Sequence, residues 1–125
     1  MAGLTLDAGP LIAFEQRDRR IEAWLAEAVE RGVVMSVPAP VVAEVWRGGP
    51  RAARVARALG FCEVATVDEL TAKHAGELLA RVALDATVDA LVVAGAAQRG
   101  DRLLTTDPDD MKPLADAVGV EVAVL

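Results

Sequence analysis

The chain has 125 residues, a net charge of −6, one cysteine and one histidine. Its length fits one domain over residues 1–125, with a core large enough to fold without a disulfide or structural metal. Lone Cys62 excludes an internal disulfide and a cysteine-based metal site, lone His74 excludes a histidine-rich zinc hydrolase, and the acidic balance argues against a non-specific nucleic-acid binder.

In chain order, the first strand is expected at Leu4–Leu6, closed by Asp7, with a helix starting near Pro10. Met1–Asp7 has neither a basic nor a long apolar region, so no signal peptide is expected, and the single cysteine makes a reducing cytoplasm the expected location. Ile21, Trp24, Leu25, Ala28 and Val29 recur at helical spacing. A second strand is predicted at Val33–Val37, followed by an apolar helical turn, Val41-Val42-Ala43-Glu44-Val45-Trp46. Arg47-Gly48-Gly49-Pro50-Arg51 reads as a turn between helices.

Cys62–Val67 is the third predicted strand, and the segment after Asp68 carries Leu70, Ala72, Leu78, Leu79 and Val82 as a helical pattern. His74 has no partner motif there, so an exposed or structurally paired role is expected and a Ser-His-Asp triad is not. Thr87 to Ala97 is a helix apolar nearly all round, with Asp89 inside it and Thr87 as its expected cap. Strands four and five fall at Arg102–Thr105 and Val120–Val124, separated by a helix that opens at Asp107-Pro108. The longest apolar or small run, Ala90 to Ala97, is too short to span a bilayer.

Strands alternating with helices predict an α/β fold: one three-layer α/β/α domain around a mainly parallel five-stranded sheet. Ligands of such sheets bind beyond the carboxyl ends of the strands. Asp7 and Asp107 fall there, and each also suits a helix cap. Glu44 and Asp89 interrupt apolar helices, where an ionised carboxylate costs free energy unless it is paired or bound to a metal. Four acids without matching bases repel one another. Hard divalent cations with oxygen ligands relieve that repulsion and support displacement at phosphorus.

The order Asp, Glu, Asp, Asp in a chain of this length resembles the PIN-domain family, and most nearly the VapC-type toxins of bacterial toxin–antitoxin pairs. The matching segments are Leu6-Asp7-Ala8-Gly9-Pro10-Leu11-Ile12-Ala13, Val41-Val42-Ala43-Glu44-Val45, Thr87-Val88-Asp89-Ala90 and Leu104-Thr105-Thr106-Asp107. The resemblance implies a PIN-like fold and cleavage of single-stranded RNA with Mg²⁺ or Mn²⁺. It implies a small antitoxin partner and a homodimer or toxin–antitoxin hetero-oligomer. It puts Asp7, Glu44, Asp89 and Asp107 at the catalytic, metal-holding positions and Thr105 in support. Many relatives carry Ser or Thr shortly after the first Asp, and here that stretch is Ala8-Gly9-Pro10. Asp109 and Asp110 are alternatives to Asp107, although a solvated loop is the simpler reading of both.

Arg47, Arg51 and Arg54 have helical spacing and would share one face beside Glu44, where they could hold RNA phosphates. No run of aromatics offers base stacking, since the large aromatics are Phe14, Trp24, Trp46 and Phe61. Two other readings compete. A phosphoacceptor receiver domain needs an acceptor Asp after the third strand and a late Lys. The chain offers only Asp68 and no such Lys. A non-catalytic PIN-like binding module is the stronger rival. Exposed-looking Leu and Val positions suggest a partner surface in either case.

Overall fold

The structure is a computed structural model and describes residues 2–125. Five strands are present: β1 (Leu4–Leu6), β2 (Met35–Pro38), β3 (Glu63–Ala65), β4 (Arg102–Thr105) and β5 (Val122–Val124). They lie in the order β3-β2-β1-β4-β5, and all four pairings are parallel. Seven helices connect them: α1 (Ala8–Glu15), α2 (Arg19–Glu30), α3 (Ala39–Val45), α4 (Ala52–Leu59), α5 (Glu69–Val82), α6 (Thr87–Arg99) and α7 (Pro108–Val118). Each predicted strand is found, β1 and β4 with the predicted bounds and the other three shortened or shifted at their ends.

The sheet explains which strands are apolar throughout. β1 and β4 lie inside it, and Leu4, Thr5, Leu6, Leu103, Leu104 and Thr105 are all buried. Strands covered on both faces have no solvent side on which to alternate. The edge strands differ: Val64 of β3 and Val124 of β5 are exposed.

Right-handed crossovers place α1–α4 on one face and α5–α7 on the other. Packing agrees, because α1 contacts α2, α3 and α4, while α5, α6 and α7 contact one another. α6 is the interior helix. Its Ala90, Val92, Val93, Ala94, Gly95 and Ala96 are buried against α5, α7 and the sheet. A helix apolar all round needs such surroundings.

Two helical stripes differ from the sequence reading by about one residue. In α2 the buried positions are Ile21, Leu25 and Ala28, while Val29 is exposed. In α5 they are Thr71, Ala75 and Leu78, while Leu70 is 57% exposed. Thr71 sits inward because its hydroxyl has partners: it donates to Asp68 and lies 2.6 Å from Gln98 Oε1 on α6. A satisfied hydroxyl displaced leucine from the stripe.

A partly buried polar knot ties the end of α6 to β1. Thr5 Oγ1 donates to Asp101 Oδ2 (2.8 Å), and Arg99 donates to both residues. Nothing in the sequence pattern announced it, because its three members lie in different elements.

The packing sets an expected contrast. Leu104→Ala should cost about 2–5 kcal/mol, as for fully buried leucines in well-packed cores. Leu70→Ala should stay within about 0.5 kcal/mol. Urea denaturation midpoints check both values, and a large loss at Leu70 would contradict its outward placement.

Candidate functional site

The sheet order reverses direction of growth at β1. The chain builds β2 and β3 to one side of it, then crosses to build β4 and β5 on the other. Such a switch point opens a crevice at the carboxyl ends of the two adjacent strands. Here those strands are β1 and β4, and Asp7 and Asp107 stand just beyond them.

Asp7 is buried and fully engaged. Its Oδ1 accepts from the Ala8 amide (2.7 Å), capping α1, and its Oδ2 accepts from Thr105 Oγ1 (3.1 Å). Thr105 Oγ1 in turn accepts from the Asp107 amide (3.0 Å). One buried hydroxyl thus links both acid-bearing segments. The cap reading of Asp7 is met by Oδ1, while Oδ2 takes the bond from Thr105.

Asp107 behaves differently from the capping aspartates. Asp7, Asp18 and Asp68 cap α1, α2 and α5 with their side chains from extended backbone. Asp107 occupies the N-cap position of α7 before Pro108, yet its carboxylate makes no capping bond. It is exposed and remains available to the crevice. Its neighbour there is Asp110, whose carboxyl shares a hydrogen bond with it. Asp109 and Asp110 lie in the first turn of α7, not in a loop. The spacing of three between Asp107 and Asp110 was the signal for this neighbour.

Glu44 lies on α3, exposed at its rim, and Asp89 lies half-buried in the first turn of α6. Thr87 does not cap α6. The cap position is Ala86, with no side-chain bond, and Thr87 is the first helical residue. Asp89 therefore stands in a turn without a capping oxygen.

The acids feel one another. Burial pushes the Asp89 carboxyl up to about 6, with further increases from Asp7, Glu44, Asp110 and Asp107. Asp7 is raised by burial and by Asp107, against the lowering effect of its Ala8 and Thr105 hydrogen bonds. Glu44 is raised by desolvation and then by Asp7, while Arg47 opposes this. Asp110 is raised first by its hydrogen bond with Asp107. Charge coupling thus joins residues from four separate segments. Direct coordination geometry is not formed: among the described residues, no three His, Cys, Asp or Glu side chains are grouped closely enough to hold one ion.

The arginines do not form a common face. α3 ends at Val45 and α4 begins at Ala52, so Arg47 and Arg51 lie in the connection and only Arg54 is within a helix. The glycines at 48 and 49 both have positive φ, which breaks the helical path. Arg54 donates to the Phe14 carbonyl, pairs with Glu22 and stacks 4.8 Å from the Phe14 ring centroid. Arg51 pairs with Glu15. Arg47 binds the carbonyls of Ala43 and Trp46 and remains exposed beside Glu44.

The receiver reading fails on topology. β3 is an edge strand, and Asp68 is fixed as the cap of α5 by Thr71. His74 is exposed and hydrogen-bonded with Gln98 (3.2 Å), a structural pairing.

Comparison with known proteins agrees with this architecture. The sequence model of the PIN domain family matches residues 4–116, and the chain belongs to that family. No curated protein sequence matches. The fold is similar to a chain of VapBC2 from Rickettsia felis bound to a DNA fragment from the promoter. That match has a TM-score of 0.82 and 13% identity, covering 98% of each chain. It is similar to DNA-bound VapBC from Salmonella typhimurium, with a TM-score of 0.77 and 17% identity, covering 99% of this chain and 98% of that one. FitAcB from Neisseria gonorrhoeae gives a TM-score of 0.69 at 20% identity, covering 95% of each chain. Among the described residues, no helix is long and apolar enough to cross a membrane.

The electrostatics yield a pH signature. The folded-state pKa of Asp89 lies above the ordinary 3.8, so folding favours its protonated form. Its stabilising contribution is present in full below the ordinary value and is lost as pH rises through about 6. Asp89→Asn carries no charge and should not show that loss. In EDTA at neutral pH its melting temperature should equal or exceed that of the wild type. A helix-dipole role for Asp89 predicts a loss of some tenths of a kcal/mol instead, so a destabilised variant would refute the repulsion account.

Proposed function

We propose that the protein is a metal-dependent endoribonuclease that cleaves single-stranded RNA, acting as the toxin of a VapBC-type toxin–antitoxin pair. The observation that carries this reading is the convergence of charge-coupled carboxylates, including the strongly perturbed Asp89, on the switch-point crevice. Perturbed acids in a crevice mark functional sites. The donors are hard oxygens, which suit Mg²⁺ or Mn²⁺, and Arg47 beside Glu44 offsets only part of their repulsion.

Asp7, Glu44, Asp89 and Asp107 would hold the cation, with Asp110 adjacent. A bound divalent ion supplies activation of water and neutralisation of charge at the phosphodiester. The protein's own groups do the rest. Thr105 holds the Asp7 carboxylate in place and anchors the Asp107 amide. Ala8 fixes the second Asp7 oxygen. Asp7 would be the fixed ligand of the cation, and Glu44, Asp89 and Asp107 would complete the oxygen donor set. Arg47 is the best placed of the three arginines to meet an RNA phosphate, because Arg51 and Arg54 already have carboxylate partners.

A small antitoxin partner and a dimeric or hetero-oligomeric assembly belong to this reading. The solved VapBC and FitAB structures with the same fold support the partner. The cytosol is the compartment in which such a toxin would act.

Purified protein with Mn²⁺ should cleave single-stranded RNA, and EDTA should abolish cleavage. Asp7→Asn and Asp89→Asn should each remove nearly all activity while remaining folded. Saturating Mn²⁺ should raise the wild-type melting temperature, by an amount equivalent to roughly 2.7 kcal/mol at a hundredfold excess over Kd, and the Asp89→Asn temperature much less. Cleavage that survives chelation and both substitutions would defeat the reading. A folded protein that binds no Mn²⁺ and cleaves nothing would favour a non-catalytic module.

Arg47→Gln should weaken RNA binding and reduce its salt slope by about one charge. Arg54→Gln should lower the melting temperature instead, because its guanidinium joins α4 to α1 and α2. Equal salt slopes for wild type and Arg47→Gln would remove Arg47 from the RNA path.

A further inference from the structure

Gly9 and Thr106 meet across the mouth of the acidic crevice. Gly9 lies in the first turn of α1 after Asp7, and Thr106 lies between Thr105 and Asp107. A Cβ on residue 9 would stand 2.9 Å from Thr106 Cβ and 3.1 Å from its Cγ2, and closer still to its hydroxyl oxygen. The Thr106 Cβ is set by the backbone, so a torsion cannot move it away. Any side chain at position 9 would have to displace the β4–α7 loop itself.

Backbone conformation does not require this glycine. Gly9 is helical and is not among the residues with positive φ. Inside a helix, glycine is about 1 kcal/mol less favourable than alanine. Close approach of Thr106 is the feature of the structure that accounts for it.

We infer that Gly9 and Thr106 form a positioning pair that sets the separation of the Asp7 and Asp107 segments, and with it the geometry in which these two acids receive a divalent cation. This rests on the acid-site reading above. Thr105 fastens the same two segments from the buried side, through Asp7 Oδ2 and the Asp107 amide. Thr106 fits against Gly9 on the exposed side. Together the contacts stop one segment sliding past the other.

The test is a double-mutant cycle read by Mn²⁺ affinity, using calorimetric titration of wild type, Gly9→Ala, Thr106→Gly and the double variant. Gly9→Ala should weaken Mn²⁺ binding roughly 10–100-fold, the loss typical when the support of a metal ligand is disturbed. The double variant, with the clash removed, should recover most of that loss, and Thr106→Gly alone should lose less than Gly9→Ala. Melting temperatures in EDTA distinguish loosened positioning from lost folding. If Gly9→Ala does not fold, the double variant must fold and bind Mn²⁺ within tenfold of wild type; failure there overturns the inference. Undiminished affinity in Gly9→Ala, or a double variant no better than it, also overturns the pair while leaving the acid site standing. A wild type that binds no Mn²⁺ overturns the acid-site reading itself.

Discussion

Leu6 pairs with Leu104, and the Asp7 amide donates to the Leu104 carbonyl (3.1 Å), so β1 and β4 reach their carboxyl ends side by side. That parallel pairing is the constraint on which the acidic crevice depends. Residues 96 positions or more apart in sequence become neighbours through it, including Thr5 with Asp101 and Asp7 with Thr105. The crossover from β3 over to β4 brings α6 with it and delivers Asp89 to the same edge. Without the switch in strand order, Asp7 and Asp107 would lie on separate strands of one continuous run, and Thr105 would have no acid to hold.

The same arrangement has an electrostatic cost. Carboxylates brought together raise one another's proton affinity, and Asp89 shows this most because it is also the one placed on the interior helix. Folding must overcome that repulsion with ordinary burial, supplied by the cluster of Leu, Val and Ala side chains around α6 and β4. Asp7 is treated differently from its companions. Two hydrogen bonds hold its charge in a buried position. The result is one acid held by two hydrogen bonds beside others that are raised by burial and by one another.

Much of this was legible from single residues. Acids that interrupt apolar patterns, Glu44 and Asp89, stood out because burial without a partner is expensive. Asp7 and Asp107 stood out because they end apolar strands. What the sequence did not reveal depends on three-dimensional packing. Leu70 fits the helical pattern of α5 by type, but Thr71 faces inward because Asp68 and Gln98 satisfy it. Regular arginine spacing suggested a shared face, yet two glycines with positive φ interrupt the helix between Glu44 and Ala52. Periodicity reports only what a helix would do if it continued. Asp110 was readable through its spacing from Asp107, whereas the Gly9–Thr106 approach was not, since no local pattern encodes contact between a helix turn and a distant loop.

The charge distribution makes the cation central to the proposed activity. Arg20, Arg31, Arg51, Arg54, Arg99 and Arg102 each have a carboxylate within ion-pair distance, and Lys73 pairs with Glu69. Seven of the 13 Lys and Arg side chains are therefore answered within the chain. An RNA strand approaching a protein of net charge −6 still meets net repulsion. Beside the crevice, Arg47 alone among the three arginines lacks a carboxylate contact of that kind. Under the proposed reading, a divalent ion held by the acids would reverse the local sign and give the phosphate a partner where the carboxylates otherwise repel it. Under the proposed reading, the acids do two things with one set of groups: they bind the ion, and they make RNA binding conditional on it.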